Sequence, residues 1–289
     1  MPDDGDTMES LLGHADVAMY RAKRTGGGYQ FFSAEMTRGA TERLALEQAL
    51  HHAIDRDELE LQYQPRLDLR DGALRALEVR PRWHQSERGL IAPERFLPLA
   101  EATGLSVELG AWALEAACRD RPRWRRHIGD DVVIALTVSA KQLSDRLPRL
   151  VAETLAHNEL LAEQLELEVA ASLLAKPTTA QVAVLRSLSA MGVRLTMSEL
   201  GAGCVSLGYL TRLPFQALKL DGALIAGLPD NNEDLATLWA IVAMAKSLDL
   251  RLIAAGVETA AQAEVLIGQG CDAAQGRHFA EPSAIKDLF

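Results

Sequence analysis

The sequence predicts an α/β domain built as a (β/α)8-type barrel, preceded by a short helix–strand segment. From Glu58 onward, short apolar runs alternate with longer amphipathic stretches, which predicts a mostly parallel sheet with right-handed crossovers. Roughly eight such runs within about 230 residues favour closure of that sheet into a barrel. The predicted strands are 59–68, 75–83, 132–138, 165–170, 193–197, 216–221, 250–254 and 271–275. The predicted helices are 93–101, 106–119, 144–157, 178–191, 232–247 and 260–268.

Two shorter segments precede the barrel. Apolar residues at spacings of three and four predict a helix over 10–24, which the glycine run 26–28 ends. Residues 29–32 predict a short aromatic strand, and a second helical pattern covers 40–56. One helix and one strand cannot form a core, so the first piece is interpreted as the end of something larger. The second helix is interpreted as a linker that docks on the barrel.

Composition excludes several classes of protein. The chain has 289 residues and a formal net charge of -10, without a long basic run, so a polymeric nucleic acid is not an expected partner. No stretch is apolar enough to cross a membrane, and the N-terminus lacks the pattern of a signal peptide. Three distant cysteines without C-x-x-C spacing are expected to be buried reduced thiols, which indicates a cytoplasmic protein: Cys118, Cys204 and Cys271.

Polar residues lie at or just beyond the carboxyl ends of several predicted strands. Glu78, Arg80 and Arg82 alternate with apolar residues, so they share one face of their strand. Three charges on one face of a barrel strand indicate a polar pocket. Because barrel chemistry lies at the carboxyl ends of the strands, these positions together predict a functional site there. The further members are Glu168, Ser198, Glu199, Lys219, Glu258 and Gln275.

Several motifs in unbroken order over residues 58–289 resemble those of one family. They are Tyr63-Gln64-Pro65, Glu78-Val79-Arg80, Pro98-Leu99-Ala100-Glu101-Ala102-Thr103-Gly104, Lys219-Leu220-Asp221, Ala255-Gly256-Val257-Glu258-Thr259 and Gln275-Gly276-Arg277-His278-Phe279. Together they resemble the EAL domain, the cyclic-di-GMP phosphodiesterase family. The resemblance implies a modified (β/α)8 barrel of the TIM-like type with one antiparallel strand near its start.

The N-terminal segment resembles a second family. Its motif is Ala15-Asp16-Val17-Ala18-Met19-Tyr20-Arg21-Ala22-Lys23, followed by Gly26 and Phe31-Phe32. This resembles the C-terminal tail of a GGDEF diguanylate cyclase domain without its catalytic loop. The implied organisation is a GGDEF-like remnant over 1–38, a linker helix over 39–57 and an EAL-like barrel over 58–289.

The resemblance implies two divalent cations, Mg²⁺ or Mn²⁺, which require several oxygen ligands. Glu78 and Glu168 stand at metal-ligand positions of the family. Four other such positions have changed. The family's Asn is replaced by Thr137, its two Glu by Ala171 and Ala255, and its bridging Asp by Ser198. With these ligands lost, we expect no metal cofactor, although Mg²⁺ or Mn²⁺ would be needed if the chain were an active phosphodiesterase.

Other positions of the family's machinery remain. Lys219 matches the lysine that assists the attacking water, and Gln275 matches a supporting glutamine. Glu199 replaces the second Asp of D-D-F-G-T-G and could supply a missing carboxylate if it shifted towards the metals. Buried carboxylates without a cation are costly. We therefore expect Arg80 or Lys219 to pair with Glu78 or Glu168 in place of the metal charge.

The resemblance also implies a nucleotide site. Arg82 matches an arginine that contacts a ligand phosphate, a role suited to the forked guanidinium. Gln64 matches a glutamine near the ligand, and Glu258 is a further expected ligand position. Arg80 replaces a leucine on which a guanine packs, so it either stacks on the base or fills the pocket. Arg66, on the same strand face as Gln64, is expected to add positive charge at the mouth.

Three functions remain open at this point. The first is a catalytically degenerate EAL domain that senses cyclic di-GMP or binds a protein partner, in the control of biofilm, motility or pili. The second is an active phosphodiesterase that releases linear pGpG, and the third is a pure protein-interaction module. A PilZ-type adaptor is a candidate partner. By analogy with the family, a homodimer is expected through helices next to the loop at 198–206.

Overall fold

The barrel closes through eight strands. The computed structural model describes residues 7–24, 28–29, 31–129, 131–201 and 210–288. Within these ranges the strands are β1 Leu59–Asp68, β2 Leu74–Gln85, β3 Gly89–Ile91, β4 Val133–Val138, β5 Leu165–Ala170, β6 Arg194–Leu200, β7 Ala217–Leu220, β8 Arg251–Ala254 and β9 Ala273–Ala274. The order around the barrel is β1-β2-β4-β5-β6-β7-β8-β9 and back to β1, and β3 extends β2 as a hairpin. The predicted barrel class is confirmed.

The first strand runs against its neighbours. β1 pairs antiparallel with β2 and with β9, whereas the strands from β4 to β9 pair in parallel. Gln64 lies opposite Glu78 in the β1–β2 register. Because β1 runs from the carboxyl end of the barrel towards the other end, residues after Gln64 lie progressively deeper. The expected antiparallel strand near the start is therefore confirmed.

The helices follow the prediction, with one short addition. They are α1 Met8–Arg24, α2 Ala34–His51, α3 Pro93–Thr103, α4 Ser106–Ile128, α5 Leu147–His157, α6 Thr179–Ala190, α7 Gly222–Ala226, α8 Asn232–Ser247 and α9 Ala260–Gln269. Thr178 and Thr259 begin α6 and α9 as N-caps, each in a capping box with the glutamine three residues on. Among the described residues, no helix combines the length and apolarity that a bilayer crossing requires.

The N-terminal segment differs from its prediction. Tyr29, Phe31 and Phe32 belong to no strand, so the strand predicted at 29–32 is wrong for the described residues, and Gln30 lies outside them. Strand hydrogen bonds need a neighbouring strand, and the pairings of the described residues give this segment none. Of the predicted glycine run, Gly26 and Gly27 lie outside the described residues.

Helix α2 attaches to the side of the barrel. Its residues Leu46 and Leu50 are buried in a cluster with Trp83 of β2 and Phe96 of α3. The helix begins at Ala34, so it runs across the predicted boundary between residues 38 and 39. The docking predicted for the linker helix is present, because these contacts remove its apolar face from water.

Candidate functional site at the carboxyl end of the barrel

Two carboxylates and one lysine meet inside the barrel at its carboxyl end. The Lys219 ammonium lies 2.8 Å from Glu78 Oε2 and 2.7 Å from Glu168 Oε2. Glu78 and Lys219 come from β2 and β7, which are not neighbours in the sheet, so their contact crosses the barrel interior. Their exposed fractions are 3% and 5%, and that of Glu168 is 1%. Lys219 was expected to pair with Glu78 or Glu168, and in the structure it pairs with both.

Gln275 completes this cluster from the turn after β9. Its side-chain amide donates a hydrogen bond to Glu78 Oε2. The next residue, Gly276, has φ +154°, and a Cβ there would lie 2.1 Å from the Val257 carbonyl oxygen. Only glycine allows the chain to pass so close to that backbone. The Gln275-Gly276 pair of the sequence motif thus has a direct physical reason.

The charges around Glu78 keep it ionised. Burial by itself would raise the pKa of Glu78, but Lys219 and then Arg80 bring that pKa down to about 2. Arg80 Nη2 lies 3.2 Å from Glu78 Oε1, so the second expected pairing is also present. The Glu78 carboxylate is therefore held on one oxygen by Lys219 and Gln275 and on the other by Arg80.

A second buried pair lies deeper in the barrel. Arg66 Nη1 lies 2.8 Å from Glu166 Oε1 and 3.6 Å from Glu168 Oε1. Thr196 donates a further hydrogen bond of 2.9 Å to Glu166 Oε1. Burial would raise the pKa of Glu166, but Arg66 and then Thr196 bring it below its usual value. These residues occupy the layer beneath Glu168, because strand residues two apart share a face.

The prediction that Arg66 adds charge at the mouth is wrong. Its exposed fraction is 2%, and its guanidinium lies within the barrel between two glutamates. The reason is the direction of β1, which carries residues after Gln64 away from the mouth. Sequence alternation assigned Arg66 to the correct face but not to the correct depth.

Glu168 is the least well compensated of the three carboxyl groups in this buried cluster, the others being Glu78 and Glu166. Burial raises its pKa above the usual value, and Lys219 and Arg66 oppose that rise. The neighbouring glutamates Glu78 and Glu166 act in the same direction as burial. Glu168 Oε1 accepts no hydrogen bond from the described residues. Its ionisation therefore depends on two cations that also serve other carboxylates.

The rim of the site carries two arginines and a glutamine. Gln64 is buried, accepts a hydrogen bond of 3.3 Å from Arg80 and donates one of 3.3 Å to the Ala280 carbonyl. Arg82 donates to the Pro81 carbonyl at 3.2 Å and makes no ion pair with the described residues. Burial and then the adjacent Arg80 lower the pKa of Arg82. Arg82 is thus the rim cation whose charge is not already matched by a carboxylate.

The remaining predicted residues lie outside the buried cluster. Glu258 is exposed and forms an ion pair with Arg277. Glu199 is exposed, with φ +60°, a conformation that non-glycine residues seldom adopt. It is not among the main influences on the pKa of Glu78 or Glu168. The structure therefore does not bring Glu199 into the place of a missing metal ligand.

The residues present do not fit a two-metal centre. Among the described residues, no three His, Cys, Asp or Glu side chains converge as metal ligands. Residues 202–209, which lie outside the described ranges, contain no carboxylate in their sequence. Ala171 and Ala255 offer no side-chain donor, Thr137 is exposed, and the Ser198 hydroxyl is buried without a partner among the described residues. Two glutamates already bound to Lys219 are too few oxygen ligands for a pair of Mg²⁺ or Mn²⁺ ions.

A cavity of about 360 Å³ opens beside Glu78 through a gap in the barrel wall. β2 and β4 pair only over Ala76–Glu78 and Val133–Ala135, and beyond these residues the two strands separate. Helices α3, α4 and α5 line the rest of the cavity, mostly with apolar side chains. A mainly apolar cavity of this size with a few polar groups is typical of a small-molecule site.

Comparison with known proteins identifies the family. The EAL domain family matches residues 47–282. The chain is 40% identical over 290 residues to the bifunctional diguanylate cyclase/cyclic di-GMP phosphodiesterase MucR of Pseudomonas aeruginosa, covering 100% of this chain and 42% of that protein. It is 38% identical over 289 residues to the cyclic di-GMP phosphodiesterase NbdA of the same species, and this match covers 99% of this chain and 37% of that protein. The chain therefore belongs to the EAL domain family.

A solved structure agrees with this assignment. The structure of the PaMucR phosphodiesterase in complex with c-di-GMP superposes with a TM-score of 0.81 at 38% identity. The match covers 85% of this chain and 100% of that one. The chain spans about two fifths of the length of the two curated relatives above. It is thus an EAL domain of the kind found in cyclic di-GMP signalling proteins, and that family's activity is cyclic di-GMP hydrolysis.

The sequence signals missed two participants in the site. Glu166 and Thr196 were not singled out, although Glu166 stands two residues before Glu168 on the same strand face. That alternation would have placed a second buried carboxylate directly beneath the first. Nothing local indicated Arg66 as its partner, because the two residues are 100 positions apart in the chain.

Proposed function

We propose that this EAL domain binds cyclic di-GMP and does not hydrolyse it efficiently. The observation that carries the proposal is the Lys219 ammonium, which lies between the Glu78 and Glu168 carboxylates and binds both of them. A hydrolytic EAL site needs metal ions to activate water and stabilise the phosphate. The changes at Ala171, Ser198 and Ala255 remove donors for such ions.

The rim supports recognition of an anionic nucleotide. Arg82 offers a guanidinium without a carboxylate partner, which suits a phosphodiester oxygen. Arg80, held by Glu78 and Gln64, presents a planar group on which a base can stack. The adjacent cavity in the barrel wall is suited to a flat, largely apolar ring. The complex of the PaMucR phosphodiesterase with c-di-GMP supports the choice of ligand.

Metal-dependent phosphodiesterase activity is the second candidate. It is supported by sequence identities of 40% and 38% to relatives named as cyclic di-GMP phosphodiesterases. The chain retains four residues that an active site of this family uses, namely Glu78, Glu168, Lys219 and Gln275. Activity would require Lys219 to leave the two glutamates so that they become ligands of Mg²⁺ or Mn²⁺.

The experiment that tests the proposal is calorimetric titration of cyclic di-GMP, in EDTA and again with Mg²⁺ or Mn²⁺, with chromatography of the products. Binding in both buffers without linear pGpG supports the proposal. Metal-dependent appearance of pGpG would establish the phosphodiesterase instead. No binding in either buffer would favour a pure protein-interaction module. Arg82→Ala serves as the matched variant, because loss of one phosphate contact weakens binding without removing a buried charge.

The N-terminal segment, the oligomeric state, the protein partner and the location of the domain belong to the same proposal. We propose that residues 1–38 continue a GGDEF-like domain, that the module forms homodimers, and that a PilZ-type adaptor is a suitable partner. Exposed apolar side chains at the N-terminal end support a contact with a further domain, since Met8, Leu12 and Phe31 are largely uncovered. The free, buried Cys118 and Cys271 support a cytoplasmic location.

A further inference from the structure

We propose that Arg66 is a built-in cation that positions Glu168 and, together with Lys219, keeps the barrel mouth ordered without divalent ions. The inference rests on the proposed metal-independent function but concerns a residue outside the family motifs. Arg66 lies beneath the mouth, and its guanidinium contacts Glu166 and Glu168. Its effect on a bound nucleotide is therefore exerted through Glu168.

The charges form one continuous alternating series through the barrel. Each neighbour in the series is within 3.6 Å of the next, and the signs alternate without interruption. In order, the members are Glu166, Arg66, Glu168, Lys219, Glu78 and Arg80. Three carboxyl groups thus meet three cations, so no added ion is needed to offset their negative charge.

Arg66 holds a position in this series that no other described cation can take. Glu168 is 1% exposed and has two cations within 4 Å, namely Lys219 and Arg66. Lys219 is shared with Glu78, so Arg66 is needed to match the charge of the deeper layer. An ionised carboxylate in such a buried place persists only when it is paired. Removing Arg66 would leave the interior with one unmatched negative charge.

An unmatched negative charge has a specific consequence. A site with three carboxylates and only two cations attracts an external cation, whereas the neutral site does not. The variant Arg66→Met keeps the length and the apolar stem of the side chain while removing the charge. It should therefore gain a response to divalent ions that the unchanged chain lacks.

The test is thermal unfolding of the 289-residue chain in EDTA and in Mn²⁺. The unchanged chain should unfold at the same temperature in both buffers. Arg66→Met should unfold about 5–10 °C lower in EDTA, and Mn²⁺ should recover at least half of that loss. Arg66→Lys should restore most of the midpoint without Mn²⁺, because it returns the charge. A merely structural arginine would lower the midpoint equally in both buffers.

Two controls make the outcome decisive. Arg70→Met removes an arginine of an exposed ion pair and should leave the midpoint independent of Mn²⁺. If Arg66→Met does not fold, the double variant Arg66→Met/Glu166→Gln removes one charge of each sign and should fold without a Mn²⁺ response. Mn²⁺ stabilisation of the unchanged chain, or no Mn²⁺ recovery in Arg66→Met, would overturn the inference. Absent nucleotide binding would instead overturn only the proposed function, since unfolding is measured without nucleotide.

Discussion

The two ends of the barrel use the same kinds of ion pair in opposite surroundings. At the carboxyl end, Lys219 and Glu168 meet at 2.7 Å with side chains 6% and 2% exposed. At the other end, Arg70 and Asp272 also meet at 2.7 Å, but the arginine side chain is 77% exposed. The distances are equal, so the geometry of the contact does not distinguish the two pairs. The two pairs differ in how far their side chains are exposed to solvent.

That difference decides what each pair contributes. An exposed pair remains solvated when one partner is removed, so its contribution is small. A buried pair has already lost its hydration, and removal of one partner leaves a charge with neither water nor counter-ion. The stability of the carboxyl end therefore depends on its buried charges being matched together, which is not expected of an exposed pair.

The largest expected effect follows the loss of the shared lysine. Lys219→Met leaves Glu78 and Glu168 buried next to each other without their common cation. We expect the free energy of unfolding to fall by about 3 kcal/mol or more. Urea unfolding monitored by circular dichroism measures this change.

The matched control removes the repulsion as well as the lysine. Lys219→Met/Glu168→Gln deletes one charge of each sign and should recover part of the lost stability. Equal instability of the single and double variants would mean that packing, and not charge, caused the loss. If Lys219→Met had the same free energy of unfolding as the unchanged chain, the two glutamates would not depend on a buried cation.

A smaller effect is expected in the deeper layer. Thr196→Val keeps the shape of the side chain and removes its hydrogen bond to Glu166, which retains Arg66. Hydrogen bonds to charged groups contribute about 1.5–3 kcal/mol, so we expect a loss near the lower end of that range. Thr196→Ser, which keeps the hydroxyl group, is the comparison. If valine were tolerated better than serine in chemical unfolding, the hydrogen bond would not be needed.

The rim should be less sensitive than the interior. Arg80→Leu introduces the residue type of the family and removes an ion pair whose arginine side chain is 41% exposed. Because Glu78 keeps Lys219 and Gln275, we expect a loss of about 1 kcal/mol or less. Unfolding midpoints of Arg80→Leu and Lys219→Met, measured side by side, check this ranking. A larger loss for Arg80→Leu would place the essential cation of Glu78 at the rim.

The smallest effect is expected at the opposite end. Arg70→Ala breaks the exposed pair with Asp272 and should change the free energy of unfolding by less than about 0.5 kcal/mol. Added salt should reduce even this difference, because exposed pairs are screened. Differential scanning calorimetry at low and high salt measures both quantities. A loss comparable to that of Lys219→Met would remove the contrast between the two ends.

Much of the fold could be predicted from local patterns. Alternation of apolar runs with amphipathic stretches predicted most strands to within a few residues, and the motif order predicted the family. Apolar strand patterns singled out Glu78, Glu168 and Lys219 in the sequence, and the structure brings these three side chains together. The strand at 29–32 failed because a local aromatic run does not supply a neighbouring strand.

The sequence by itself determined which residues share a face, because side chains alternate along a strand whatever the strand packs against. It determined in this way the polar face of β2 and the placement of Arg66 on the same strand face as Gln64, whereas the alternation of strand and helix patterns determined the barrel class. Only the tertiary structure decided the depth of each side chain and its partner across the barrel. Arg66 meets Glu166 because an antiparallel first strand enters from the mouth and carries that arginine inward. A contact between residues 100 positions apart depends on closure of the whole barrel, which no local pattern specifies.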